Sequence, residues 1–222
     1  MKNLLLFLFL AIVTTQTHAQ TEIAYDSLTD IHQYSFRAQL YDYNSNNQQN
    51  SYHTVAIKGT CFLFNGWQKG IVPLQNSRNL AVPLNYNVME DHLVILVDGE
   101  QREVYPEVFV IKDMTFIRIN NQYYEALHLG KTKLLRQYRA RLDKVERNGY
   151  NENIKYDYEY SKTEELYLQQ EDGMLTPVRL NERSLLSKLN DTKTARSIVR
   201  NKDLNLRVEK DVITLLASLE KE

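Results

Sequence analysis

One cysteine, Cys61, stands in a chain of 222 residues. No internal disulfide can form, so the fold rests on its buried core alone. Cysteine pairs for a zinc site are equally absent, and His32, His53, His92 and His128 have no partner at metal-ligating spacing. Glycine and proline are scarce, at 7 and 4 residues, which excludes collagen-like and proline-rich chains. No phosphate loop, dinucleotide fingerprint or G-x-S-x-G elbow occurs. Neither sign of charge dominates: 27 basic residues face 28 acidic ones, for a net charge of −1. That balance gives no electrostatic case for nucleic acid or for an anionic membrane surface. Beyond residue 13 no apolar run approaches the roughly 20 residues that a membrane-spanning helix needs. No cofactor, no metal ligand set and no catalytic residue can be named from the residues.

The chain opens on a short positive segment, Met1-Lys2-Asn3, and an uninterrupted apolar run at residues 4–13. A more polar stretch then ends in Thr17-His18-Ala19, with small residues at −3 and −1 if cleavage falls before Gln20. That layout is expected of a secretory signal peptide over residues 1–19. No cysteine follows the cleavage point, so a lipoprotein anchor is not expected. The expected location is therefore periplasmic or extracellular.

Residues 20–58 read as an N-terminal strand and a polar loop. Tyr34, Phe36, Ala38 and Leu40 alternate with polar residues, the period of a strand. Residues 44–51 are polar and low in complexity, with nothing to bury. Residues 59–160 read as an antiparallel β-rich body, with short apolar segments recurring between turn residues. Candidate strands fall at 53–58, 61–64, 67–74, 80–88, 92–97, 102–105, 108–112, 115–119, 123–129 and 134–142. Asp98-Gly99 is a hairpin dipeptide, and fifteen tyrosines suit pleated, half-buried surfaces. Residues 161–222 read as a β-hairpin about Glu171-Asp172-Gly173 and then short helices. Asn181 is a fair N-cap ahead of Leu185, Leu186 and Leu189, and Asp191 or Thr192 opens a second helix. Val212, Leu215, Leu216 and Leu219 fall at i, i+3, i+4 and i+7, one apolar stripe. The expected class is α+β: an antiparallel β-meander body followed by a small C-terminal helical segment.

Several blocks carry a family resemblance. Gly59-Thr60, Phe62-Leu63, Trp67 and Gly70 form the first, and Val82-Pro83-Leu84-Asn85-Tyr86-Asn87 with Asp91 and Leu93 the second. Tyr124-Glu125-Ala126-Leu127, Gly130-Lys131 and Leu134-Leu135 form the third, and the Leu-rich tail from 166 to 219 the fourth. Over residues 59–219 the chain resembles a family of uncharacterised secreted proteins from Bacteroidetes-type Gram-negative bacteria. That family usually carries Pro-Tyr where this chain has Cys61-Phe62. The resemblance implies a Gram-negative envelope or extracellular setting, and implies no activity and no site residues.

Among candidate sites, Asp42-Tyr43-Asn44-Ser45-Asn46 places oxygen ligands like the start of a calcium loop. Asn47 replaces the glycine at position 6, however, and His53 the glutamate at position 12. His92 beside Asp91 reads as an exposed turn histidine, and Cys61 as a small buried hydrophobe. Tyr156, Tyr158 and Tyr160 alternate with Asp157 and Glu159, and a strand would set all three rings on one face. Such a row either caps the core or grips a sugar or a partner. The reading these residues favour is a non-catalytic binding or interaction protein of the envelope, with a protein or glycan partner. The alternatives are a secreted hydrolase with a carboxylate-based site, or a structural accessory to an outer-membrane system.

Overall fold

The computed structural model describes residues 22–42, 47–74, 78–146 and 153–221. The segment 1–19 and the calcium-like residues 43–46 lie outside them. The chain divides into two compact units, residues 1–58 with 146–158 and residues 59–145 with 159–222.

In the first unit β1 (Glu22–Asp26), β2 (Ile31–Asp42) and β3 (Asn47–Lys58) lie side by side and antiparallel. The β1–β2 turn is held by the Asp26 carboxylate, which accepts from the Leu28 N–H at 3.0 Å and the Thr29 hydroxyl at 2.7 Å. Asp30 takes a left-handed φ of 53° and accepts the Tyr25 hydroxyl at 3.0 Å. The β2–β3 register runs from Ile31 opposite Lys58 to Asp42 opposite Asn47. The polar segment expected to be loop therefore enters the sheet at Asn47. Ladder bonds are made by the backbone, and a register already fixed further in carries outward without apolar side chains.

The second unit holds β4 (Gln68–Pro73), β5 (Asn79–Asn87), β6 (His92–Val97), β7 (Glu100–Val104), β8 (Val108–Ile111) and β9 (Met114–Ile119). It continues with β10 (Gln122–His128), β11 (Lys133–Lys144), β12 (Tyr158–Gln169), all of it but Tyr158, and β13 (Leu175–Val178). Their order across the sheet is β12-β11-β10-β9-β8-β4-β5-β6-β7, with β13 on β12. Strands β5 to β7 and β8 to β12 each follow the chain as a meander. Between the two runs β8 returns to pair with β4. Tight turns carry the residues that tolerate positive φ: Asp98 at 53° with Gly99 at 81°, and Asn120 at 50° with Asn121 at 63°. Both central residues are left-handed, as a type I′ hairpin requires.

Residues 61–64, expected as a strand, make only an isolated bridge from Phe62 to Asn87. The buried Asn85 side chain donates to the carbonyls of Phe64 at 2.8 Å and Gly66 at 2.9 Å, taking up acceptors that a ladder would use. Conversely, the polar stretch 161–165 does not interrupt β12, which runs through it as one strand.

Two apolar clusters make the core of this unit. One is aromatic: Tyr86, Phe109, Phe116 and Tyr123 sit with ring centroids 4.8 to 5.9 Å apart, surrounded by Leu84, Leu93, Ile95 and Ile111. The other lies between sheet and helices, where Leu134 and Leu168 meet Leu185, Leu186, Ile198, Val212, Leu215 and Leu216. The helices are α1 (Glu182–Leu186), α2 (Thr192–Asn201) and α3 (Glu209–Leu219). Asn181 caps α1 by accepting from the Ser184 N–H at 2.8 Å, and Asp191 caps α2 through the Thr194 N–H at 3.0 Å. Helices this short are marginal alone; burial of their apolar residues in the cluster shared with the sheet holds them. No described helix is long and apolar enough to cross a membrane.

Candidate functional site

The tyrosines singled out by their spacing are all half-buried. Tyr156 precedes β12, and its hydroxyl accepts from Lys58 Nζ at 3.5 Å, with the ammonium 5.1 Å from the ring centroid. Tyr158 and Tyr160 are the first and third residues of β12. Between Tyr156 and Tyr158, Asp157 fastens to β3: its carboxylate accepts from the Ala56 N–H at 2.9 Å, and its own N–H donates to the Ala56 carbonyl at 2.7 Å.

A more open aromatic surface lies on the three-stranded sheet of the first unit. Tyr25 stands opposite His32 in the register, and Ile23 opposite Tyr34. Ile57 and Val55 occupy the matching positions on β3. Alternation puts these six side chains on one face. The Tyr25 and His32 rings are stacked at 4.4 Å, and Tyr34 continues the stack at 6.3 Å. Ile23 is 60% exposed and Tyr25 51%, while the opposite face holds the buried Ile31 and Ala56. Tyr34 opens the alternation with Phe36, Ala38 and Leu40. Extending its period of two back to His32, then across the turn to Tyr25, reaches this stack.

The second unit gathers charge around Arg136 of β11. Its guanidinium donates to Glu125 of β10 at 3.2 Å, lies 3.3 Å from Glu164 of β12, and pairs with Glu209 of α3. The Tyr138 hydroxyl also donates to Glu125, at 2.7 Å. Burial pushes the Glu125 carboxyl above its usual range, although Tyr138 and Arg136 pull it down. Burial opposes the charge on Arg136 as well, but Tyr138, Glu125 and Glu209 hold it firmly protonated. A carboxylate hydrolase holds its two carboxyl groups apart across a cleft. Here a cation contacts all three carboxylates, an arrangement that fastens α3 to the sheet.

His92, expected as an exposed turn residue, is 4% exposed. Asp91 closes the turn with a φ of 56°, so His92 is already the first residue of β6, opposite Asn87. Its ring lies 3.7 Å from Glu90 and 3.8 Å from Glu103. Cys61 is half-buried, and burial pushes its thiol up, away from the thiolate a nucleophile needs. Asp91 organises the aromatic core, accepting from the Tyr86 hydroxyl at 2.5 Å and the Tyr123 N–H at 3.2 Å. Burial first, then Asp91, pushes the Tyr86 phenol far up. The second unit also carries a cavity of about 430 Å³ beside α2 and α3.

No protein-family model matches the chain, and no curated protein or solved structure matches it.

Proposed function

We propose that the chain is a non-catalytic binding or interaction protein of the bacterial envelope, taking a protein or glycan partner on the Tyr25–His32–Tyr34 face. One observation carries this reading: a stacked aromatic row lies on a sheet face whose outer strand leaves Ile23 and Tyr25 more than half exposed. Each ring offers broad apolar area with a polar tip. Rings already stacked lose little freedom when a partner covers them. The contact of Arg136 with all three of Glu125, Glu164 and Glu209 supports binding over carboxylate hydrolysis. The envelope setting is supported by the layout of residues 1–19 and by the resemblance over residues 59–219.

Three experiments test the proposal. Intact mass of the protein from its native host is expected to correspond to a chain starting at Gln20; retention of residues 1–19 would overturn the envelope setting. A photo-reactive residue at position 25 is expected to cross-link one discrete envelope protein or glycan, and Tyr34→Ser in the same chain to abolish that product. Turnover of a glycan or peptide library by the purified protein would overturn the non-catalytic reading.

A further inference from the structure

The cavity of about 430 Å³ lies wholly within the second unit, well away in sequence from the aromatic face. Its volume falls in the range of small-molecule sites, about 300–1,000 Å³. Its apolar wall is made by Leu189, Leu216 and Leu219, from the α1–α2 connection and α3. Leu189 and Leu216 are 8% and 2% exposed, so this wall belongs to the packed core and is fixed in place. The polar side comes from three connections and from the ends of α2 and α3; Asp191 and Glu220 there are already engaged, by the Thr194 N–H and by His128. Lys131 lies between β10 and β11, Glu171 between β12 and β13, and Asn190 between α1 and α2.

Those three side chains are exposed and have no hydrogen-bond or ion-pair partner among the described residues. Lys131 and Glu171 in particular do not pair with each other, although both line the same cavity. A lysine ammonium and a glutamate carboxylate thus stand unpaired beside a leucine wall. Opposite charges held apart complement a ligand that carries both charges itself, one for each. The apolar wall complements a branched aliphatic body, and Asn190 can both donate and accept at the mouth.

We propose that this cavity binds a small zwitterion with an apolar body: a free aliphatic α-amino acid or a short aliphatic peptide. Its carboxylate is held by Lys131, its ammonium by Glu171, and its side chain rests on Leu189, Leu216 and Leu219. The site is separate from the Tyr25–His32–Tyr34 face and does not depend on the function proposed for it.

The test is a titration of the isotope-labelled full chain, followed by NMR, with leucyl-leucine and with its uncharged counterpart, N-acetyl-leucyl-leucinamide. Leucyl-leucine is expected to shift the methyl signals of Leu216 and Leu219 and the amides of Thr132 and Thr194 in a saturable way. Lys131→Gln and Glu171→Gln are each expected to weaken that binding roughly tenfold, the loss of one charge-assisted contact. Both positions are exposed, so unchanged spectra of the free variants establish that each still folds. Absence of saturable shifts at these residues would overturn the proposal. So would equal affinity for the uncharged compound, or unchanged affinity in both variants.

Discussion

His128 Nε2 lies 3.0 Å from Glu220 Oε1, joining the end of β10 to the residue just past α3. At the other end of the same helix Glu209 pairs with Arg136 of β11. Helix α3 is thus tied to the sheet at both ends, with Val212, Leu215 and Leu216 buried between the ties. Gly130 makes the His128–Glu220 tie possible: a Cβ there would run into the Glu220 carboxylate.

Gly130→Ala and Glu220→Ala should therefore remove the same contact. Each is expected to cost about 1 kcal/mol, the usual scale for one hydrogen-bonded pair. The double variant should cost clearly less than the sum, because residues sharing a contact are not additive. Urea unfolding of the four proteins measures it. Full additivity would mean that Gly130 acts elsewhere.

Leu216 tests the apolar part of the same docking. It is 2% exposed in the cluster shared by helices and sheet. Leu216→Ala is expected to cost about 2–5 kcal/mol, the range for a buried leucine. A melting temperature unchanged by the substitution would show that α3 does not depend on this burial.

Glu125 gives the fold a pH dependence of definite sign. Burial raises its folded-state pKa above the ordinary value of 4.5, so folding favours the protonated carboxyl. Its contribution is fully present below the ordinary glutamate range and is lost as pH rises through the raised value. Glu125→Gln cannot ionise. The stability of wild type relative to this variant should accordingly fall as pH rises from about 4 through that window. Denaturant midpoints of both proteins across that pH range check it, and a relative stability that rises with pH contradicts it.

The tail was legible because its elements are local. The stripe at Val212, Leu215, Leu216 and Leu219, the caps Asn181 and Asp191, and the Asp98-Gly99 turn all act over a few residues, and each sits where its spacing puts it. What could not be read depends on register. Glu125, Glu164 and Glu209 are spread over three elements, and only strand pairing and helix docking bring them to one arginine. The return of β8 to β4 is equally non-local. The strand beginning at His92 is legible in the sequence, but the burial of His92 is not, because Asn87 and Glu103 reach it only through the pairing of β6 with β5 and β7. The aromatic face went unread because its rings come from both sides of the β1–β2 turn.

Two sets of tyrosines now make opposite predictions. In the first unit Tyr25 is 51% exposed, and its stack with His32 lies on an open sheet face. Tyr25→Ser should lower stability by only about 0.5–1.5 kcal/mol, the scale of one aromatic pair, while removing the outermost ring of the proposed contact surface. Tyr156, Tyr158 and Tyr160 are half-buried, and Tyr156 is engaged by Lys58. Replacing all three with serine withdraws three large rings at once, and losing even one well-packed aromatic costs about 3–5 kcal/mol when fully buried. The triple variant should therefore lose its cooperative thermal transition or aggregate, whereas Tyr25→Ser keeps both its transition and its circular dichroism. The discriminating result is a triple serine variant that stays folded while partner cross-linking at position 25 persists in it. That outcome would show the three rings to be dispensable for both packing and binding. A folded triple variant that loses the cross-link would instead move the contact surface to Tyr156, Tyr158 and Tyr160.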